Sequence, residues 1–184
     1  MELSFTLQDN INESTSFNSY SIIHKLKNPN IRSRLSQEDI TAQCRNWMAD
    51  RKRIFDSFNS NLNNFFDRNE SFHLLIPATT RVTFTNPLKD SIINTFANCI
   101  DISGHFSKNP NVSFGTPPYS EKDPAQLEEF IQVSHRFNQS LEIKKVLVAD
   151  DVYSSGKTMD VYESVIKKVF PEVVLIGATL IRTR

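Results

Sequence analysis

The sequence predicts an α/β fold, a mostly parallel sheet with helices on both faces. Two short apolar runs, His73–Ile76 and Val146–Ala149, read as buried strands, and amphipathic helical stripes lie before and after them. Strands alternating with helices are the pattern of a sheet covered on both sides.

The elements follow in chain order. The first 35 residues are polar and rich in Asn and Ser, apart from an apolar cluster at Tyr20, Ile22, Ile23 and Leu26. Ser36-Gln37-Glu38-Asp39 has the form of a capping box, in which a Ser and an acid three residues later satisfy free amides at a helix start. Apolar residues from Ile40 through Phe55, Phe58 and Leu62 to Phe66 then recur mostly at three- and four-residue steps, predicting a helix over about Gln37–Phe66. The strand His73–Ile76 ends at Pro77, and Asn86-Pro87 reads as an N-cap with proline in the first helical position. Leu88, Ile92, Ile93 and Phe96 form the apolar face of that helix, and Cys99–Ile102 reads as a second short strand.

Gly104–Pro124 holds two of the four glycines and four of the eight prolines, the punctuation of a long functional or mobile loop. A helix is expected over Ala125–Phe137, on the spacing of Leu127, Phe130, Ile131 and Phe137. Strand Val146–Ala149, a loop Asp150–Gly156, a helix stopping at Pro171 and a last strand Val173–Ile181 complete the chain. The expected organisation is an N-terminal helical element over residues 1–70 packed on an α/β core over 71–184, forming one compact unit.

Composition narrows the function classes. Twenty-one basic residues balance twenty-one acidic ones, so charge gives no support to a nucleic-acid or membrane partner. Cys44 and Cys99 make neither a zinc cluster nor a disulfide framework. No secretory signal or bilayer-length apolar run is visible, and a cytoplasmic location is expected.

The chemistry concentrates in Asp150-Asp151-Val152-Tyr153-Ser154-Ser155-Gly156-Lys157-Thr158. A buried strand delivers two carboxylates to the carboxyl edge of the sheet, where open α/β folds bind ligands. The small residues after them let backbone amides turn toward an anion, and the next helix adds its unpaired amides and the positive end of its dipole. Ser154, Ser155 and Thr158 can donate hydroxyl hydrogen bonds to phosphate oxygens. The acids can accept from sugar hydroxyls or support Mg²⁺ through waters. The set suits a phosphorylated sugar.

Three rival readings compete. Gly156-Lys157-Thr158 matches the end of a P-loop, but the glycine needed five positions earlier is Asp151, whose charge would oppose a triphosphate. An acid pair after a strand also opens phosphoacceptor receiver domains, which carry it near their start, whereas here 33 residues follow Asp151. Mere helix capping would not ask for two adjacent, mutually repelling acids.

Val146–Thr158 resembles the phosphoribosyl-pyrophosphate (PRPP) signature of type I phosphoribosyltransferases: four apolar residues, two acids, then a loop rich in Thr, Ser and Gly. The wider chain resembles their ComF-like branch, through Tyr20–Lys27, Leu74–Pro77 and Ala178–Thr183. The resemblance implies a Mg²⁺-dependent pentosyltransferase that moves a phosphoribosyl group to a nitrogen acceptor and releases pyrophosphate. It assigns Asp150 and Asp151 to the ribose hydroxyls and Mg²⁺, and Ser154, Ser155, Gly156, Lys157 and Thr158 to the 5′-phosphate. Ala78, Thr79, Thr80 and Arg81 would face pyrophosphate, and His105 and Lys108 would contribute from the flexible loop. The chain departs from the family in lacking the four-cysteine zinc element and any glycine in Thr79–Pro87. Ser154 stands where purine-salvage relatives carry an acidic base, which argues against a hypoxanthine-guanine enzyme. The alternative is a non-catalytic sensor of PRPP or a nucleotide 5′-phosphate, in a DNA-uptake or defence system. A homodimer or a protein partner is compatible with the long Phe-rich helix.

Overall fold

In the computed structural model, residues 5–8, 34, 36–78, 82–114, 117–138, 142–153 and 155–182 are described. Five strands form one wholly parallel sheet: β1 (Phe5–Gln8), β2 (Phe72–Leu75), β3 (Cys99–Asp101), and two longer strands, Lys145–Tyr153 and Val174–Arg182. A separate antiparallel pair, β4 (Phe106–Lys108) and β5 (Ile131–Val133), stands between them in sequence, so the two long strands are β6 and β7. The sheet order is β1-β7-β6-β2-β3. Among the described residues, the helices are α1 (Gln37–Leu62), α2 (Val82–Thr95), α3 (Pro124–Leu127) and α4 (Lys157–Val169).

The apolar patterning of the strands explains the layers. On one face, Phe72 and Leu74 of β2, Leu147 and Ala149 of β6 and Ala178 and Leu180 of β7 meet Ile54, Phe58 and Leu62 of α1 and Leu88 and Ile92 of α2. On the other, Leu75, Val146 and Val148 meet Tyr162, Val165 and Ile166 of α4 and Phe106, Ile131 and Phe137 around the antiparallel pair. Neighbouring strand residues point to opposite faces, so the continuous run Val146–Ala149 serves both cores at once. The molecule is therefore an α/β fold with a parallel sheet covered on both faces.

Polar and aromatic contacts set the packing. Asn59 of α1 donates to Ser91 Oγ at 2.9 Å and Thr95 Oγ1 at 2.8 Å, locking α1 to α2. Phe66, Phe72 and Phe96 cluster in the core near the amino end of β2, Phe66 and Phe72 tilted with centroids 4.0 Å apart and Phe96 edge-on to both. Lys145 closes that end by donating to Phe65 O at 2.6 Å and Glu70 Oε1 at 2.9 Å, over the Phe66 ring.

Several elements differ from expectation. Helix α1 stops at Leu62 rather than Phe66, although Phe66 remains buried. Helix α2 begins at Val82, so Pro87 lies inside it instead of at its start, leaving the helix one backbone donor short. The expected helix 125–137 is absent. Asp123 and Gln126 form a capping box that supports only the single turn α3, and Ile131–Val133 pair with Phe106–Lys108. Strand β6 runs on through Tyr153, replacing the first part of the expected loop with sheet. The apolar cluster at Tyr20–Leu26 lies outside the described residues.

His73 lies in the middle of β2 and is buried. Burial pushes its imidazole below its ordinary value of 6.5, with the Lys145 backbone opposing. The folded chain therefore binds this proton less readily than the unfolded chain. The stability contribution is complete above the unfolded pKa and is lost as pH falls toward the folded one. Chemical denaturation should show stability declining as pH falls below about 6.5, and His73→Leu should flatten that slope. An unchanged slope in the variant would assign it to other groups.

Candidate functional site

The connection from β2 goes out to β3 on one side, and the chain later returns to β6 on the other side of β2. The strand order thus reverses between β2 and β6, and open α/β sheets bind ligands outside the carboxyl ends at such a point. Ile76–Ala78 leave β2 here. Strand β6 continues past Val148, the partner of Leu75, to Tyr153, paired with β7 on its far side. The last residues of β6 therefore overhang the crevice.

The two acids at this overhang have different settings. Asp151 is 1% exposed, whereas Asp150 is half-buried. The alternation along β6 sends Asp150 to the face of Val146 and Val148, where Lys108 of β4 and Tyr162 of α4 are its electrostatic neighbours. Asp150 Oδ1 accepts the Asp151 N–H at 2.8 Å. A small cavity beyond the strand is lined by Asp150, Tyr153, Ser155, Gly156, Lys157 and Thr158, and Asp151 is not in its wall. The pair expected to work together on one ligand is divided between rim and interior, because extension of the strand through both residues sets them a pleat apart.

Gly156 makes the turn into α4 with φ of +77°, a left-handed conformation that glycine adopts without penalty. The phenol of Tyr153 lies against it: a β-carbon at position 156 would stand 2.4 Å from Tyr153 Oη. The N-cap of α4 is Gly156, which has no side chain to engage the amides of the first turn. The Lys157 N–H makes only a long 3.4 Å contact to Ser155 Oγ. With Tyr153 seated on Gly156, the cavity measures about 30 Å³. The Lys157 ammonium is turned away, donating to the Lys122 carbonyl at 2.8 Å. Ser154 lies outside the described residues.

Of the segment expected to face pyrophosphate, Thr79, Thr80 and Arg81 lie outside the described residues. Ala78 is at the rim, and its N–H donates to Tyr162 Oη at 2.7 Å. A second cavity of about 230 Å³ adjoins it, lined by Ile76, Pro77, Ala78, Thr85, Asn86, Lys89, Ser103 and Gly104. Its wall is ordered by Ser103, which accepts the Ile76 N–H at 2.9 Å, and by an ion pair between Lys89 and Asp101 at 3.1 Å. Burial works against ionisation of Asp101, but bonds from Ser103 and the Lys89 charge hold its carboxyl below the usual range.

The two loop candidates separate. Lys108 ends β4 with its ammonium over the Phe114 ring, near Asp150; burial lowers its pKa and the Asp150 charge pulls the other way. His105 stacks on Phe137 at 5.0 Å, on the antiparallel pair's own core. A groove of about 480 Å³ along α4, lined by Pro124, Asp160, Glu163, Ser164, Lys167 and Lys168, shares no residue with either rim cavity.

Sequence reasoning did not anticipate Tyr162, Lys89 or Ser103 at the rim. Tyr162 carried a signal: a tyrosine among aliphatic residues on an inward helical face needs a partner for its hydroxyl. Among the described residues, no three His, Cys, Asp or Glu side chains form a metal-binding group. Magnesium commonly keeps waters and takes one or two protein carboxylates beside substrate phosphates, and Asp150 at the rim fits that donor set. Also among the described residues, no helix is long and apolar enough to cross a membrane. No protein-family model matches the chain, and no curated protein matches it.

Proposed function

We propose that this chain is a type I phosphoribosyltransferase-like protein that binds PRPP with Mg²⁺ at the β2–β6 rim and transfers the phosphoribosyl group to a nitrogen acceptor. The observation that carries the reading is the left-handed Gly156 turn, which sets the glycine-capped start of α4 directly beyond Asp150 at the switch point of the sheet. Such a helix start offers amide donors and a positive dipole end to a phosphate. Thr158 adds a hydroxyl in the same wall. Asp150 accepts from a ribose hydroxyl and orients the sugar without attacking it. The acceptor nitrogen bonds to C1 as the bond from C1 to the pyrophosphate oxygen breaks, and pyrophosphate departs with the electron pair. Bound Mg²⁺ would supply charge neutralisation on the diphosphate, with Asp150 as its protein carboxylate. Arg81, which lies outside the described residues, would supply a cation to the same departing group.

A second reading is a PRPP or nucleotide sensor without turnover. It is favoured by the engagement of two cations near Asp150, Lys157 with the Lys122 carbonyl and Lys108 over Phe114. The two readings part in one assay, in which PRPP and Mg²⁺ are incubated with a panel of nucleobases and amines. The transferase reading expects pyrophosphate to accumulate with at least one acceptor. Tight PRPP binding with no release across the panel selects the sensor, and absence of binding removes both.

A further inference from the structure

Tyr153 is the last residue of β6, and it pairs with Arg182 of β7. The sheet holds its backbone, so a change of position here falls to the side chain. The phenol folds back over the turn that starts α4. Its oxygen stands 2.4 Å, and its Cζ 2.7 Å, from the point a β-carbon on Gly156 would take, so the ring fills the space directly over the glycine. The same ring walls the cavity bounded by Asp150, Ser155, Lys157 and Thr158, which is left with about 30 Å³, against about 230 Å³ for the cavity beside Ala78. A tetrahedral phosphate with a sugar behind it needs more room than the seated phenol leaves. Tyr153 is only half-buried, at the margin of the second core, so turning the ring outward gives up a limited apolar contact. A phenol oxygen is a neutral group at a helix start, whereas a phosphate brings the charge that the dipole end and the amides favour.

Resting on the phosphoribosyl reading above, we propose that Tyr153 is a specificity-determining plug: its phenol closes the 5′-phosphate cradle, and a phosphate group displaces it on binding. The apparent affinity is then the intrinsic affinity reduced by the fraction of chains whose cradle is open. With the open form a minor state of at most about 10%, the plug weakens phosphate binding by at least about tenfold. Ribose without a phosphate lacks the charge that displaces the phenol, so the cradle stays shut to it.

The test titrates ribose 5-phosphate by calorimetry into the natural chain and into Tyr153→Ala. The variant should bind at least about tenfold more tightly. Equal affinity, or weaker binding by a folded variant, overturns the plug and leaves the phosphoribosyl reading standing. Absence of binding by both chains overturns both. A second measurement uses the natural chain and does not depend on the variant folding. In the free chain the Tyr153 ring protons should show a nuclear Overhauser contact to the Gly156 α-protons. Saturating ribose 5-phosphate should remove that contact, and ribose at the same concentration should leave it intact. A contact that survives saturation while the amides of residues 155–159 shift, or one that ribose also breaks, overturns the plug.

Discussion

Gly156→Ala is expected to destabilise the fold and abolish ligand binding together. Two independent terms add. An L-residue in the left-handed region costs about 1–2 kcal/mol, and Gly156 sits at φ +77°. The new methyl would also stand 2.4 Å from Tyr153 Oη and 2.7 Å from its Cζ, so the phenol must leave its seat; overpacking of this kind typically costs about 1–3 kcal/mol. The terms are separable. Tyr153→Ala in the same chain removes the clash and leaves the backbone strain, so the double variant should recover part of the loss relative to Gly156→Ala. Denaturant titration of the single variants and the double variant measures this directly. A Gly156→Ala chain as stable as the natural one would mean that the turn does not need its left-handed conformation.

Asp150→Asn should weaken PRPP binding by roughly 10- to 100-fold, the loss of one charge-assisted hydrogen bond worth about 1.5–3 kcal/mol. Asp150 is the acid that borders the cradle cavity, and the change keeps its shape while removing its charge. The same change takes away the anion that favours the charged form of Lys108, whose pKa burial already depresses. Because Asp150 is also the carboxylate proposed to hold Mg²⁺, binding should lose part of its Mg²⁺ dependence as well as its strength. Asp151→Asn is expected to act mainly through folding stability, since Asp151 is 1% exposed and outside that cavity. Calorimetry with PRPP and Mg²⁺ on the two variants distinguishes them. Equal losses at unchanged stability would show that both carboxylates reach the ligand.

The parts of the fold that could be read along the chain are those whose packing repeats locally. Ile54, Phe58 and Leu62 are spaced by one turn each and do form the inner face of α1. Val146–Ala149 is apolar throughout because both of its faces are covered. The antiparallel pair was hidden by a coincidence of spacing. Leu127, Ile131 and Phe137 all reach one core, yet they arrive there from a single helical turn, a strand and a 3₁₀ turn. Their distances in sequence mimic a helix, while the β-branched Ile131 and Val133 favour the strand. The extension of β6 was equally invisible. Aspartate is depleted in strands, and only pairing of Asp150 with Thr179 and of Val152 with Ile181 carries the sheet through the acids. Within the candidate site, the stretch from Asp150 to Thr158 was legible because its residues are contiguous. The Ala78–Tyr162 bond and the Lys89–Asp101 pair join elements through the fold, and no periodicity announces them.

Amide chemical-shift mapping with PRPP and Mg²⁺ addresses the binding site itself. The phosphoribosyl reading predicts that the largest changes cluster at residues 155–159, around the Gly156 turn, with a second group at Ala78 and the start of α2. Saturable binding whose changes fall along the outer α4 groove instead, with residues 155–159 silent, would contradict it.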